Sequence, residues 1–231
     1  MKSGKIQDIY ELTPLQQGML FHSLYTPDVD VYSNQLDFTL HGHIDFDAFD
    51  RAWQQVVARH PALRTGFAWD NLKQPYQVVH ESVELNITRH DWCSLSVEQQ
   101  DTALIALARE DKSRGFSLEV PPLMRLSLIQ LSERDYRFLW TFHHMIMEGW
   151  SAAIVMREVD EIYEAYSRDA ELQLKPALPY SDYIRWLQQS DPLPAEAYWR
   201  RTLTGFSEPS HLPMDAAQGD APPKVAHCAE L

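Results

Sequence analysis

Apolar positions recur along this chain in two rhythms, one helical and one alternating, and the switches between them lay out its elements. Thr13, Pro14 and Gln16 have the form of a helix start: the hydroxyl can cap free N–H groups, proline suits the first turn, and Gln16 can reach back. The helix so opened is predicted to run to about Leu24 and to end before Pro27. Leu36, Phe38 and Leu40 alternate with polar residues, the spacing of a strand. Asp45 then caps a second helix with Phe46, Phe49, Trp53, Val56 and Val57 on one stripe, closed after His60 by Pro61. Leu63 to Trp69, a turn at Asp70 to Lys73, and Tyr76 to Val79 predict a hairpin, followed by a short strand at Leu85 to Thr88.

Ser96 and Gln99 open a third helix, in which Leu104, Leu107 and Ala108 face one side. Alternation returns at Met124, Leu126 and Leu128; Ser132 to Asp135 make a turn, and Tyr136 to His144 form the second strand of that hairpin. From Ser151 to about Ser167 the positions Ala152, Val155, Met156, Val159, Ile162, Tyr163 and Tyr166 are helical again. Shorter helical pieces at Tyr180 to Gln189 and Ala195 to Leu203 lie among prolines, and the polar, Pro-rich tail after Phe206 reads as a linker. Strands interleaved with helices predict an α/β (α+β) class, a mixed β-sheet covered by helices.

Composition narrows the field. With 231 residues, 45% of them hydrophobic and 11% aromatic, the chain can bury a substantial core. Its formal charge of −13, from 33 acidic and 20 basic residues without a dense basic run, argues against nucleic acid as a partner. Apolar runs fall far short of the roughly 20 residues a membrane helix needs, and the N-terminus has no signal-peptide pattern, so a soluble, cytoplasmic protein is expected. Cys93 and Cys228 lie too far apart for a metal or redox spacing and fit a reducing compartment.

Candidate chemistry concentrates in Phe142-His143-His144-Met145-Ile146-Met147-Glu148-Gly149-Trp150-Ser151, where a strand stops, a loop turns and a helix begins. On a strand the two histidines point to opposite faces, which groups His144 with Phe138, Trp140 and Phe142, and His143 with Leu139 and Thr141. Gly149 permits close backbone approach, and the following helix is expected to aim free N–H groups towards His144, where they would stabilise an oxyanion. A histidine there can take a proton from an amine, or hold that amine in line, during attack on an acyl carbon. Two adjacent histidines at a strand end can equally be hydrogen-bonded structural groups, and spacing alone does not decide. A metal held by His144 and Glu148 lacks a third ligand, no G-x-S-x-G elbow presents a nucleophilic serine, and Ser151 reads as a helix-start hydroxyl. Eight glycines without a phosphate-binding loop give no support to ATP or NAD, so neither cofactor nor metal is expected.

The segment resembles the third signature of the condensation family of nonribosomal peptide synthetases: two histidines, three variable residues, aspartate and glycine, commonly followed by Trp-Ser. Leu12 to Phe21 resembles the first signature, Arg59 to Thr65 the second, and Tyr180 to Trp186 the fourth, all in order. Phe116-Ser117-Leu118 with Pro122 to Arg125, and Tyr198-Trp199 with Leu203 and Gly205, resemble family stretches between and after them, so that residues 8–206 are covered. The resemblance implies one lobe of a chloramphenicol-acetyltransferase-like fold, in a family that joins a donor acyl thioester to an acceptor amine. Each substrate arrives on the phosphopantetheine arm of a carrier protein, in a synthetase that also contains an adenylation domain.

By this resemblance His144 is the central residue, as base or as positioner of the amine; His143 is structural; Gly149, Trp150 and Ser151 complete the motif; and Arg64 pairs with the acid of the motif. Glu148 stands where the family has aspartate, one methylene longer. Residues 1–175 are then the N-terminal lobe, 176–206 the segment of the fourth signature, and 207–231 the start of an inter-lobe linker. A family domain is about twice as long, so the chain is expected to fold yet to form little or no amide without a C-terminal lobe. The competing expectations are an epimerization domain, a non-catalytic module that recruits a carrier protein, and a free-standing acyltransferase.

Overall fold

The computed structural model describes residues 5–26, 32–172 and 174–207; the expected linker beyond residue 207, and Cys228 in it, lie outside the described residues. The chain divides into two compact units between Gln189 and Ser190.

In the first unit, β1 (Ile6–Glu11) leads into α1 (Pro14–Tyr25), whose start is a complete capping box between Thr13 and Gln16. β2 (Ser33–His41) and α2 (Phe46–Arg59) follow, and Asp45 accepts the Ala48 N–H at 3.0 Å as the predicted cap. A 3-10 turn at Pro61–Arg64 delivers the chain into the hairpin β3 (Thr65–Ala68) and β4 (Tyr76–His80). Then come β5 (Ile87–Asp91), α3 (Val97–Ser113), β6 (Met124–Gln130), β7 (Asp135–His143), α4 (Gly149–Ser167) and α5 (Tyr180–Gln189). The second unit contains α6 (Leu193–Thr202) among its described residues.

The strands form two sheets. The larger has the order β2-β7-β6-β5, antiparallel except for the parallel pair β5 and β6. Its register sets Phe38 opposite Phe138 and Leu36 opposite Trp140, so these side chains share a face, onto which α2 packs. Trp53 meets Trp140 edge-on at 5.1 Å, and Phe49 meets Phe138 in the same way at 5.3 Å. Aromatic side chains bury about 150–250 Å² each, so this cluster is a large source of hydrophobic stabilisation in the unit. The other face of the sheet is polar at its centre: Gln35 donates to Thr141 Oγ1 at 3.1 Å and to the Ala108 carbonyl of α3 at 3.0 Å.

The smaller sheet, ordered β1-β4-β3, contains a strand that the apolar pattern does not reveal. In β1, Ile6 and Ile9 are three apart and both 53% exposed, so no alternation marks it. β5 falls later than the expected Leu85 to Thr88, because Leu85 itself is buried in the core and its carbonyl accepts from Gln54 of α2 at 2.6 Å. Gly66 is required on β3: a Cβ there would meet the Glu119 carbonyl oxygen at 2.9 Å, where that segment crosses and the Phe67 N–H donates to Leu118 O at 2.8 Å.

Candidate functional site

β7 ends at His143, and one further main-chain bond, from His144 N–H to Tyr32 O at 2.8 Å, carries the β2–β7 pairing to the first residue of the loop. His143 is 3% exposed; its Nδ1 accepts the Met145 N–H at 3.2 Å, and its ring lies among Phe116 and Tyr32. His144 is half-buried and faces a cleft of ≈ 1040 Å³ whose walls are mostly apolar, among them Met19, Leu63, Ile146, Val155 and Leu187. The imidazole is thus neither sealed in hydrocarbon nor free in solvent. Its Nε2 lies 2.8 Å from Asn34 Nδ2 on β2.

The loop is held from beneath by two buried glutamines. Gln16 completes the capping box by accepting the Thr13 N–H at 2.9 Å, and its Nε2 donates to Met145 O and to Gln77 Oε1, each at 3.0 Å. Gln77 in turn donates to Glu11 O at 3.0 Å. The first turn of α1, strand β4 and the residue after His144 are therefore one hydrogen-bonded unit. The sequence identifies Gln16 only as a cap; nothing in its spacing announces the second bond.

On the opposite wall, His60 reaches the cleft from the end of α2, with its Nε2 2.6 Å from Glu158 Oε2 of α4. Arg59 donates to the same oxygen at 2.9 Å and also to the Lys175 carbonyl. Burial alone would raise the Glu158 pKa, but the bonds and charges of His60 and Arg59 outweigh it and hold the carboxyl below its ordinary range. Tyr180 of α5 lines the cleft as well, with its ring 6.2 Å from Tyr10. Burial pushes both phenols up to about 12, so they face neutral pH as uncharged groups.

Four expectations for the motif need correction. Arg64 does not pair with Glu148: its guanidinium is spent on the carbonyls of Val57, Ala58, His80 and Glu81 and on Gln7 Oε1. Glu148 instead caps α4, accepting the N–H groups of Trp150 and Ser151 at 3.0 Å each and the Ser151 hydroxyl at 3.2 Å. Those N–H bonds, Trp150's first, hold its carboxyl below the ordinary range, and the nearby His144 adds a smaller push in the same direction. The first free amides of α4 are consequently not presented to a substrate oxyanion; the carboxylate already occupies them. Ser151 is the third residue of a helix that starts at Gly149 rather than the residue that opens it. Gly149 supports no close approach, since a Cβ there would meet nothing within 4 Å. Trp150 points outward at 83% exposure. Among the described residues no three His, Cys, Asp or Glu side chains converge as a metal site would require.

The family model for the condensation domain matches residues 6–226. A linear gramicidin synthase chain of Brevibacillus parabrevis is 44% identical over 216 residues, which is 94% of this chain and 4% of that protein. Bacitracin synthase 3 of Bacillus licheniformis is 33% identical over 230 residues, 97% of this chain and 4% of that protein. Among solved structures, the starter condensation domain of rhizomide synthetase superposes with a TM-score of 0.77 at 20% identity, over 85% of this chain and 50% of that one. The first condensation domain of the calcium-dependent antibiotic synthetase does so with a TM-score of 0.77 at 17% identity, over 88% of this chain and 50% of that one. These likenesses show the expected chloramphenicol-acetyltransferase-like fold. The chain spans a few per cent of the curated relatives it matches and about half of the solved domains.

Proposed function

The chain belongs to the condensation-domain family, and from that premise we propose that in its parent synthetase it supplies one wall of an amide-forming site. The observation that carries this reading is the placement of His144. A half-buried imidazole stands one residue past the end of a central strand, on the edge of a cleft large enough for an acyl chain. In this reading the donor acyl thioester and the acceptor amine arrive on phosphopantetheine arms of two carrier proteins, and the domain holds no cofactor of its own. His144 takes the proton from the amine, or orients it, as the amine nitrogen attacks the acyl carbon and the thiol leaves. With the α4 amides occupied by Glu148, this chain offers no oxyanion-binding pair at that helix start. The transition-state contribution of His144 therefore rests on proton handling and alignment.

Amide formation by the whole parent with both carriers loaded is the direct test. Exchange of His144 for alanine is expected to lower the rate about 100-fold or more, the usual yield of a positioned general base. Unchanged turnover would remove His144 from the reaction, and inversion of an amino-acid Cα in place of amide formation would assign the site to epimerization. The 231-residue chain alone, which spans about half of a solved domain, is expected to give no measurable amide with the same two carriers.

A further inference from the structure

We propose that Asn34 is a positioning residue that fixes the tautomer of His144, holding its ring proton on Nδ1 and its lone pair on Nε2. The inference deepens the reading of His144 above. It stands on one contact, Asn34 Nδ2 at 2.8 Å from His144 Nε2, which is the one side-chain hydrogen bond made by that ring among the described residues. A neutral imidazole has one donor and one acceptor nitrogen, and the hydrogen bond made by either settles the role of both. An amide N–H can only donate, so the nitrogen it meets is the acceptor.

The contact is built by the sheet. Asn34 pairs with Phe142 in the β2–β7 register, and the His144 N–H to Tyr32 O bond brings the ring back over β2 two residues further on. Asn34 is itself half-buried, so its carboxamide has few competing partners in water. Other groups with ring or hydroxyl protons around the cleft are His22 and Tyr32, hydrogen-bonded to each other at 2.9 Å, His60, bonded to Glu158 at 2.6 Å, the hydroxyls of Thr65 and Ser151, bonded to Pro61 O and Glu148 Oε1, and the phenols of Tyr180 and Tyr183. Glu148 is engaged by the start of α4. Among the described residues the side-chain hydrogen bond to the His144 ring comes from Asn34 and from none of these groups, which leaves the tautomer to Asn34. An amine that uses the Nε2 lone pair must then take the place of the Asn34 N–H, so the carboxamide acts as a stand-in for the substrate donor.

The test is nitrogen NMR of the intact chain with labelled histidine, at about pH 9 so that rings of ordinary pKa near 6.5 are neutral. The ring signals of His144 are identified by their loss in His144→Gln. In the unaltered chain Nδ1 is expected to carry the pyrrole-type signal and Nε2 the pyridine-type signal. Asn34→Leu, which removes a bond of ordinary strength, is expected to shift the tautomer ratio towards Nε2–H about fivefold. Asn34→Asp keeps the shape but offers only acceptors, and is expected to reverse the assignment so that Nε2 carries the proton. A proton already on Nε2 in the unaltered chain, or identical His144 signals in both Asn34 variants, would overturn the proposal. The readout needs no turnover: a fixed Nδ1–H tautomer together with undiminished amide formation in His144→Ala would sink the catalytic reading and leave the role of Asn34 intact.

Discussion

Two arginines are folded into the first unit, one behind each sheet, and they are held in opposite ways. Arg64, behind the small sheet, gives its donors to four carbonyls and one amide oxygen, with no carboxylate among its hydrogen-bond acceptors in the described residues. Arg125, on the polar face of the large sheet, meets Asp111 Oδ1 at 2.7 Å and Oδ2 at 3.3 Å, adds the Gly115 carbonyl at 2.7 Å, and stacks 4.1 Å above Phe116. A guanidinium wholly or partly withdrawn from solvent thus requires acceptors, and an anion is only one way to provide them. The difference shows in the ionisation of each site. Burial lowers the Arg64 pKa, whereas at Asp111 the upward pull of burial is overcome by bonds from Arg125, Thr141 and Gln35 and by the arginine charge, leaving the carboxyl below its ordinary range.

Breaking the neutral cradle should have the larger effect. Arg64→Met leaves four carbonyls, two of them in the last turn of α2, without the donor they face; with about 1 kcal/mol lost for each, a fall in unfolding free energy of about 4 kcal/mol is expected. Urea unfolding followed by circular dichroism measures it, and a loss below about 1 kcal/mol would show that water or other groups readily replace the guanidinium. Asp111→Ala strands Arg125 with two carbonyls, Gly115 and the main chain of residue 111, and about 3 kcal/mol is expected.

Acid separates the two sites more sharply than either loss. The folded-state pKa of Asp111 is depressed, so the stability it contributes is present above its unfolded value of about 3.9 and is lost as pH falls through the folded value. Asp111→Asn should therefore flatten the decline in stability below about pH 4, while Arg64→Met, with no carboxylate to protonate, should lower the curve without changing its acid slope. Parallel acid limbs in the parent and Asp111→Asn chains would place that titration elsewhere, Glu158 being the next candidate.

The same contrast explains what is legible in the sequence. Apolar rhythm reveals α2, α4, β6 and β7, because one of their faces meets the aromatic core and periodicity records that burial directly. The buried acids leave a fainter trace: Asp111 follows Leu104, Leu107 and Ala108 on the inward stripe of α3, and Glu158 sits between Val155 and Ile162 on that of α4. A carboxylate interrupting an apolar stripe needs a cation, and that signal is there to be read. Contacts made by main-chain carbonyls leave no trace at all, which is why the motif resemblance alone assigns Arg64 to Glu148. Asn34 and Gln16 stay hidden for the related reason that their partners lie 110 and 129 residues away. The position of His144 at a strand end is legible, since β7 alternates up to it; what holds its ring is not.

The smallest expected effect tests whether the two ends of the motif communicate. In this structure Glu148 acts locally: it caps α4 and draws on Arg64 for nothing. Glu148→Ala should cost about 1 kcal/mol, the ordinary value of a helix cap, and Glu148→Asp should change stability by less than about 0.5 kcal/mol, because aspartate is itself a favoured cap. Combined with Arg64→Met, the two losses should add within about 0.5 kcal/mol, as they do for sites without a shared partner. A coupling energy above about 1 kcal/mol would mean that the acid and the arginine meet in solution after all, and would restore the ion pair that the carbonyl cradle of Arg64 now excludes.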